Sequence, residues 1–497
     1  MTDKPDISVE STDAWWIWVL VIGLAVLLCF RILALATNGT DLFFDEAQYW
    51  AWGQEPAFGY YSKPPLIGWI IGAAGASCGN GEFCVRLPAP LIHTATAIAV
   101  FFLGRQLYDT RTGALSGLAF ATLPGVSLSA GLISTDVPLL LCWAIALVGF
   151  VALFKSQSIW PALVLGLAFG IGLNAKYAMA WFLLCLSFLL VMAPERRRIL
   201  KDYRLYAGLG LGLLLIVPNL VWNYTNSFAT FSHTADNAKW AGSLLHPVKA
   251  LEFFVAQFGV FGPILFGSLL VIVWRAWKQR LPESDRLLLA FSVPIIAVIV
   301  VQAFISRAHG NWAASAYVAA CVLVVATMVR EGAWGWLKGS FVVNVAAMIL
   351  IAAGTITAGQ ITLPFAPDPF ARVLGWRAVA EATQAELAKA KSQGQPFAAV
   401  ITINRSVIAE LLYYMRDGAT PVLAWRRGAR PHNHFELTRP LTSDTTGRVL
   451  LVTLGKRKPP IGSAFATSEK IGERELAAGN NAHRRVTFYA LSGYKGR

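Results

Sequence analysis

The sequence has few charged residues: Asp, Glu, Lys and Arg make up 14% of its 497 residues, whereas 56% are hydrophobic. This scarcity excludes an ordinary soluble protein and predicts a polytopic membrane protein. Acids are scarcer than bases, and residues 360–497 alone hold 20 basic against 10 acidic side chains. That surplus fits either contact with anionic lipid head groups or plain solvation. The basic residues form no obvious stripe, and no nucleic-acid partner is expected.

The chain also lacks the marks of a cleaved signal peptide, because Met1 to Asp13 has neither a basic start nor a cleavage site. Apolar runs of about 20 residues, the length that crosses a bilayer, predict eleven spans. They lie near 14–36, 85–104, 113–133, 137–154, 159–175, 177–193, 205–222, 250–274, 287–306, 312–329 and 339–359. Segment 64–77 is too short to cross and is expected to lie in the interface as an amphipathic helix.

Two basic loops, residues 196–204 and 275–286, fall between predicted spans and on the same side. The positive-inside rule makes that side cytoplasmic. The N-terminus is then inside, while the loop 41–63 and everything from Gln360 face the periplasm or the extracellular space.

The polar tail shows alternating helical and strand patterns. Residues 368–393 have helical composition, and residues 405–416 place apolar side chains at helical spacing. The runs at 396–403, 448–455 and 485–491 read as buried strands. The predicted fold is thus an all-α polytopic membrane protein of about 11 helices with a C-terminal soluble α/β domain. The predicted domains are 1–359, with a periplasmic loop 37–84, and 360–497.

The most informative stretch runs from Asp41 to Ile71 and sets Asp45 and Glu46 among aromatic residues before Lys63. Carboxylates at a membrane edge are costly to desolvate and favour a chemical role, with a structural salt bridge as the alternative. Further polar residues fall at the same predicted outer face. They are Asp136, Asn174, Lys176, the loop from His233 to Lys239, Arg307, Asn311 and Trp312.

Each of these residues has an ordinary alternative when it is taken alone. Asp136 could cap the next helix, Lys176 could be a snorkelling anchor, His233 a surface histidine and Trp312 a member of the interfacial aromatic belt. Their coincidence on one face favours function.

A carboxylate can act as general base toward an acceptor while cations neutralise a leaving phosphate. Nucleotide donors are not expected outside the cell, and the chain has no Walker motif, so the donor is predicted to be membrane-borne. No internal repeat of the kind found in many transporters is visible.

The chain resembles a family in the order of several short motifs. These are Asp-Glu-Ala-Gln-Tyr-Trp from Asp45, Gly-Tyr-Tyr-Ser-Lys-Pro-Pro from Gly59, Arg86, Ser-Thr-Asp ending at Asp136, Leu-Asn-Ala-Lys-Tyr around Lys176, and Asn311-Trp312. Over residues 14–330 the pattern is similar to bacterial GT-C glycosyltransferases that use polyprenyl-phosphate sugars, the group with protein O-mannosyltransferases and lipid A aminoarabinose transferases.

The resemblance implies an inverting transfer to lipid A, lipopolysaccharide, another glycolipid or a protein at the periplasmic face of the bacterial inner membrane. By resemblance Asp45 is the candidate base with Glu46 as its partner, and Asp136 is a second acid near the site. Lys63, Lys176 and Arg307 are candidates for the donor phosphate. The candidate substrate contacts are Tyr60, Tyr61, Asn174, His233, Asn311 and Trp312.

The chain departs from the aminoarabinose transferases at Ser62, where they have an acid, and from mannosyltransferase-like members at Lys63, where they often have His. Metal use and the sugar therefore stay open. No cofactor is certain, and a divalent cation, if one binds, would be held by Asp45 and Asp136. The alternative function is a non-enzymatic flippase or transporter for the same lipid.

Six cysteines are present, and four of them fall within predicted spans, where they read as small apolar residues. Cys78 and Cys84 instead flank five residues of the outer loop. An oxidising compartment would allow them to pair, although a short loop could strain the bridge.

Overall fold

The computed structural model describes residues 7–238, 244–360, 368–426, 428, 430–455 and 461–496. Its residues form two compact units. The helical unit consists of Met1–Leu35, Lys63–Ile67 and Arg86–Ala352. The α/β unit consists of Ala36–Ser62, Gly68–Val85 and Ala353–Arg497. The loop that the sequence predicted as part of the transmembrane domain thus packs compactly with C-terminal residues, while the domain boundary at 359 stays a prediction.

Within the described residues, six helices are long and apolar enough to cross a membrane, or seven if one bent pair counts as a span. The six are Thr12–Ala36, Glu82–Leu107, Asp136–Leu153, Tyr203–Thr225, Glu283–Ile305 and Trp334–Ile356. Four shorter apolar helices accompany them, namely Leu66–Cys78, Trp160–Ala175, Tyr177–Met192 and Ala316–Arg330. A multi-pass helical fold is therefore confirmed, and the count of eleven spans stays a prediction.

The remaining helices are shorter or amphipathic. They are Phe44–Gln54, Thr110–Thr122, Pro124–Ser129, Ala229–Ala238, Pro247–Phe261, Pro263–Lys278, Trp376–Ser392, Arg405–Tyr414 and His434–Thr438.

Two predicted spans are broken by local sequence. The run near 250–274 forms two helices bent by 116°, because Gly262 adopts φ of 89° and Pro263 cannot continue the preceding helix. The run near 113–133 breaks at Leu123, because Pro124 cannot continue the preceding helix. The predicted spans did not show either break, because they rest on the average hydrophobicity of the whole run and not on the conformation of single residues.

Small residues let two helices of the helical unit approach closely. Gly166 and Gly170 of the helix Trp160–Ala175 face Gly208 and Gly212 of the helix Tyr203–Thr225. A Cβ added at Gly170 would lie 2.8 Å from the carbonyl oxygen of Gly212. Glycines four residues apart are typical of helix packing in membranes. The hydrophobic effect does not drive helices together there, so close backbone contact contributes more. This contact holds the segment that carries Lys176.

The described residues of the α/β unit form a five-stranded sheet. Its strands are β1 (Ala399–Thr402), β2 (Val422–Ala424), β3 (Val449–Leu454), β4 (Phe465–Ala477) and β5 (His483–Tyr494). Their order across the sheet is β2-β1-β3-β5-β4. β1 pairs in parallel with β2 and β3, while β5 runs antiparallel to β3 and β4. The three strands that the sequence predicted, β1, β3 and β5, are the buried ones at the centre.

The sequence missed the two edge strands. β4 is mostly exposed and carries charged residues around Gly472, so it lacks the apolar signature of a strand. It forms because its backbone pairs with β5 over a long antiparallel hairpin, with a register shift between Lys470 and Gly472. β2 has three residues, which are too few to show the alternation of apolar and polar side chains that predicts a strand.

Candidate active site

In the helical unit, three predicted site residues meet directly. The ammonium nitrogen of Lys176 lies 2.6 Å from Oδ1 of Asp136, and Asn311 donates from Nδ2 to Oδ2 of Asp136 at 2.6 Å. The side chains of Lys176 and Asp136 are only 18% and 10% exposed. Three segments that are far apart in sequence therefore build one polar cluster with a fully engaged carboxylate.

Asp136 opens the helix Asp136–Leu153, yet it is not the N-cap. Thr135 occupies the N-cap position, and the Asp136 carboxylate accepts from Lys176 and Asn311. The capping interpretation that the sequence allowed is therefore wrong. A carboxylate at the first turn also interacts favourably with the helix dipole, which helps to keep a buried charge in place.

The backbone around Lys176 is fixed on both sides by one neighbouring helix. Asn174 donates to the carbonyls of Gly170 and Leu215 at 2.9 and 3.0 Å. Tyr177 donates to Oδ1 of Asn219 at 2.6 Å, and its ring stacks on Phe231. Because Asn174 is buried and its amide nitrogen serves these backbone carbonyls, it shapes the site rather than presenting a free donor. Its predicted substrate contact stays a prediction.

The cluster lies at the opposite end of a span from the basic loops. Asp136 begins the helix Asp136–Leu153, and Arg204 donates to the carbonyl of Leu153 at its other end. Eighteen helical residues separate the two ends by about 27 Å.

The two basic loops also meet each other, since Arg196 pairs with Glu283 and Arg286 pairs with Glu195. The prediction that both loops lie on one side of the bundle is confirmed. The side of the membrane to which each end belongs stays a prediction.

The other candidates of the helical unit lie outside the three-residue cluster. Arg307 is half-buried and precedes the short 3-10 turn Gly310–Ala313. Trp312 lies in that turn, its ring in edge contact with His309 at 5.5 Å. His233 lies in the helix Ala229–Ala238, and Lys63 is half-buried in the segment Lys63–Ile67. Lys239 lies outside the described residues.

In the α/β unit, Asp45 is bound by a basic residue that the sequence did not single out. Nη1 of Arg405 lies 2.8 Å from Oδ1 of Asp45 and 3.1 Å from Oε1 of Gln48. The guanidinium also lies over the ring of Phe44, 4.8 Å from its centroid. About a third of each partner of this ion pair is exposed. Nothing in the sequence distinguishes Arg405 from the other basic residues of the tail.

Glu46 is buried and caps the helix Phe44–Gln54, because its Oε2 accepts from the backbone N–H of Phe43 at 2.9 Å. Tyr60 is buried and stacks on Trp52, with ring centroids 4.5 Å apart, and it donates to the carbonyl of Trp52. Burial raises the pKa of Tyr60 to about 12. Tyr61 donates to the carbonyl of Pro431 at 2.9 Å. These residues fix the loop in place, and their proposed catalytic or substrate contacts stay predictions.

A second polar cluster ties the loop to the tail within the α/β unit. Tyr414 donates to Oε1 of Glu82 at 2.5 Å and accepts from the backbone N–H of Leu42 at 2.9 Å. Arg377 completes the cluster with an ion pair to Glu82 at 2.7 Å. Burial and the nearby carboxylates raise the pKa of Tyr414 strongly, so it stays a neutral donor.

Cys78 and Cys84 form a disulfide, with Cα atoms 5.6 Å apart. The pairing that an outer loop would allow is therefore present in the α/β unit. Cys142, Cys185 and Cys321 are buried free thiols, as expected for small apolar residues in spans, whereas Cys29 is exposed.

No group of three or more His, Cys, Asp and Glu side chains suited to a metal ion occurs among the described residues. The two carboxylates that could have held a cation are each engaged by a basic side chain, Asp45 by Arg405 and Asp136 by Lys176. The described residues thus show no such metal-ligand cluster, and the predicted use of a divalent cation stays a prediction. No reaction step is assigned to a metal.

Comparison with known proteins agrees with this architecture. A family model described as dolichyl-phosphate-mannose-protein mannosyltransferase matches residues 62–222. The chain is 34% identical over 477 residues to the lipid A galacturonosyltransferase RgtD of Rhizobium johnstonii, a match that covers 95% of this chain and 98% of that protein. The chain belongs to the GT-C glycosyltransferases.

Other similar proteins share a lower sequence identity with this GT-C glycosyltransferase. Undecaprenyl phosphate-alpha-4-amino-4-deoxy-L-arabinose arabinosyl transferase 1 of Pseudomonas fluorescens is 26% identical, over 63% of this chain and 59% of that protein. The crystal structure of ArnT from Cupriavidus metallidurans in the apo state has the same fold, with a TM-score of 0.60 and 17% identity. It covers 95% of this chain and 97% of that one. The predicted family and the predicted enzyme class are confirmed. The named relatives support the enzyme over the non-enzymatic flippase or transporter.

Proposed function

We propose that this glycosyltransferase moves a hexuronosyl residue, in particular a galacturonosyl residue, from a polyprenyl phosphate to lipid A. The sugar and the acceptor are taken from the near full-length relative, a lipid A galacturonosyltransferase. The polyprenyl-phosphate donor is the type named for the arabinosyl transferase relatives. Lipopolysaccharide, another glycolipid or a protein remains the wider acceptor class to which the resemblance pointed.

The observation that carries the proposal is the cluster of Asp136, Lys176 and Asn311. Lys176 is a cation with three N–H donors, of which the carboxylate of Asp136 engages one. Its other donors can bind phosphate oxygens, and the low exposure of the pair strengthens such a contact. Asp136 and Asn311 thereby hold the cation ready for an anionic leaving group.

The cluster is assigned to the periplasmic face by charge. It lies at the end of the helix Asp136–Leu153 that is opposite Arg204 and the basic loops. The positive-inside rule makes the basic end cytoplasmic. A donor on the other face must be membrane-borne, which agrees with a polyprenyl-phosphate sugar. We assign the protein to the bacterial inner membrane on this basis.

The proposed reaction inverts the anomeric centre. An acceptor hydroxyl oxygen attacks the anomeric carbon of the donor sugar, and the bond from that carbon to the phosphate oxygen breaks. The electron pair leaves with the polyprenyl phosphate, while the acceptor proton moves to the carboxylate of Asp45, the general base. Lys63, Lys176 and Arg307 stabilise the departing phosphate, each charge-assisted contact contributing about 1.5 to 3 kcal/mol.

Transfer in detergent tests this proposal. Purified protein is mixed with undecaprenyl-phosphate galacturonic acid and lipid A, and the lipid A is analysed by mass spectrometry. We expect a gain of one hexuronosyl residue, with no bilayer needed. A parallel reaction with the 4-amino-4-deoxyarabinose donor tests the sugar. Product from that donor alone would overturn the galacturonosyl assignment and keep the enzyme class.

A second arm tests the acceptor. Lipid A from a strain that lacks this gene should lose the added sugar, whereas its envelope proteins should keep their glycans. Loss of a protein-bound glycan with unchanged lipid A would overturn the lipid A assignment.

A further inference from the structure

Arg405 makes three contacts with one helix of the α/β unit. It donates from Nη1 to Oδ1 of Asp45 and to Oε1 of Gln48, and its guanidinium covers the ring of Phe44. Asp45 and Gln48 are three residues apart on the helix Phe44–Gln54, so their side chains emerge on the same face. One guanidinium therefore donates hydrogen bonds to two acceptors and also makes a cation–π contact with an aromatic ring.

Both partners of the ion pair lie in the first turn of a capped helix. Asp45 is the second residue of the helix Phe44–Gln54, whose first turn is fixed by the buried Glu46 cap. Arg405 is the first residue of the helix Arg405–Tyr414, whose N-cap Asn404 accepts from the N–H of Ser406 at 3.0 Å. These caps fix the backbone positions from which the side chains of Asp45 and Arg405 extend.

We propose that Arg405 is a positioning residue for Asp45, an inference that rests on the proposed role of Asp45 as general base. The contacts of Arg405 engage Oδ1, and within the described part of the chain no hydrogen bond reaches Oδ2 of Asp45. Arg405 thereby fixes which carboxylate oxygen faces outward, and Oδ2 takes the acceptor proton. About a third of the Asp45 side chain is exposed, which leaves room for an acceptor hydroxyl.

The inference gives the C-terminal segment a part in the reaction. Arg405 comes from the tail, whereas Asp45 comes from the first loop, 360 residues earlier. A bare carboxylate on an exposed helix end would rotate freely about χ1 and χ2. Holding one rotamer raises the fraction of enzyme in which the base is aligned, so the contact acts on kcat rather than on donor binding.

The test compares Arg405→Ala and Arg405→Lys with a matched control, Arg439→Ala. Arg439 pairs with Glu55, so it also joins the first loop to the tail, and its exposure is similar, 38% against 37% for Arg405. We expect Arg405→Ala to lower kcat about tenfold or more, with the donor KM changed less than about twofold. Arg405→Lys should recover part of kcat, since an ammonium supplies the charge without the planar fork. Arg439→Ala should keep kcat within about twofold, because it contacts no proposed catalytic group.

A variant of the base separates this inference from the proposed function. If Asp45→Asn keeps the parental kcat, the proposed base is wrong. If Asp45→Asn is impaired but Arg405→Ala is not, the positioning role is overturned and the base stands. In the Asp45→Asn background, adding Arg405→Ala should cost less than about twofold, because Arg405 acts through the carboxylate.

Full additivity in that double variant, or an equal loss in Arg439→Ala, would mean that Arg405 only stabilises the fold, which overturns the inference. Where Asp45→Asn is too slow for the double variant to be read, the kcat loss of Arg405→Ala and its recovery in Arg405→Lys decide the question.

Discussion

Lys176 and Asp136 are 40 positions apart, yet the ammonium nitrogen of one lies 2.6 Å from a carboxylate oxygen of the other. The pair is mostly buried, and Asn311 donates a hydrogen bond to the second carboxylate oxygen of Asp136. A cation that is held in this way is already oriented, which suits its proposed role in stabilising the leaving phosphate.

Lys176→Ala should lower kcat/KM on the order of ten- to a hundredfold, because it removes a charge-assisted contact to the leaving phosphate. Lys63→Ala should have an effect of similar size. Transfer is measured in membranes with matched protein levels, and Lys278→Ala, an exposed lysine beside Trp274, serves as the control. Parental transfer rates in both lysine variants would contradict the proposed binding of the donor phosphate by Lys63 and Lys176.

Asn311→Ala should lower activity on the order of tenfold, since Asp136 loses a hydrogen-bond partner at a site that is only 10% exposed. Asn311→Asp should be worse, because two carboxylates would then compete for the cation of Lys176. The rank order of the two variants in the transfer assay is the measurement. An Asn311→Asp enzyme as active as the parent would show that the amide does not hold Asp136 during the reaction.

Tyr414→Phe should reduce the free energy of unfolding by roughly 1 to 3 kcal/mol while leaving activity per folded molecule unchanged. The hydroxyl donates to Glu82 and accepts from the N–H of Leu42, so its removal leaves two groups without this partner. Thermal unfolding of the full chain in detergent gives the change. Tyr203→Phe, which removes an exposed tyrosine hydroxyl, should be neutral.

His434 should make the protein less stable as the pH falls. Burial and the neighbouring Arg439 lower the pKa of His434 to about 3, from an ordinary value of 6.5. Between these values the unfolded chain binds a proton that the folded chain does not, so stability declines as pH falls below about 6.5. The imidazole packs edge-on against Trp52 and Tyr60 at 5.5 Å, where a charge would be poorly solvated.

The melting temperature of the full chain between pH 7.5 and 5 should therefore fall less steeply in His434→Phe than in the parent. His483→Gln, which replaces an exposed histidine at the start of β5, should follow the parental slope. Equal slopes in all three proteins would contradict the assignment.

The disulfide between Cys78 and Cys84 should stabilise the α/β unit, in which it closes residues 78–84 into a ring. Its seven-residue ring corresponds to about 2 kcal/mol of loop-closure entropy. The double variant Cys78→Ser and Cys84→Ser should melt earlier than the parent, and reductant should shift the parent toward the variant. Peptide mapping under non-reducing conditions checks the bond itself, and two free thiols there would exclude it.

Much of the candidate site could be predicted from sequence because its members sit at the ends of apolar runs. A polar residue at such an end has few ordinary roles, so Asp136, Lys176 and Asn311 stood out together, and the structure joins them. The central strands β1, β3 and β5 were readable for a similar reason, since each is an apolar run in a polar tail.

Other features did not follow from hydropathy or from residue spacing alone. The 116° bend at Gly262 is invisible to hydropathy, and β4 becomes a strand only because β5 lies beside it. Arg405 is one of many basic residues in the tail until the fold brings it to Asp45. Glu46 caps its helix, and its predicted catalytic partnership with Asp45 stays a prediction.

The sequence by itself determined that this protein is a multi-pass membrane glycosyltransferase with a small α/β tail, because hydrophobic run length and motif order are local properties of the chain. Tertiary structure alone decided which charges pair: Asp136 with Lys176 and Asn311, and Asp45 with Arg405. The physical reason is that an ion pair or a hydrogen bond requires two groups within about 3 Å. Only the packing of helices and strands sets such a distance between residues tens or hundreds of positions apart.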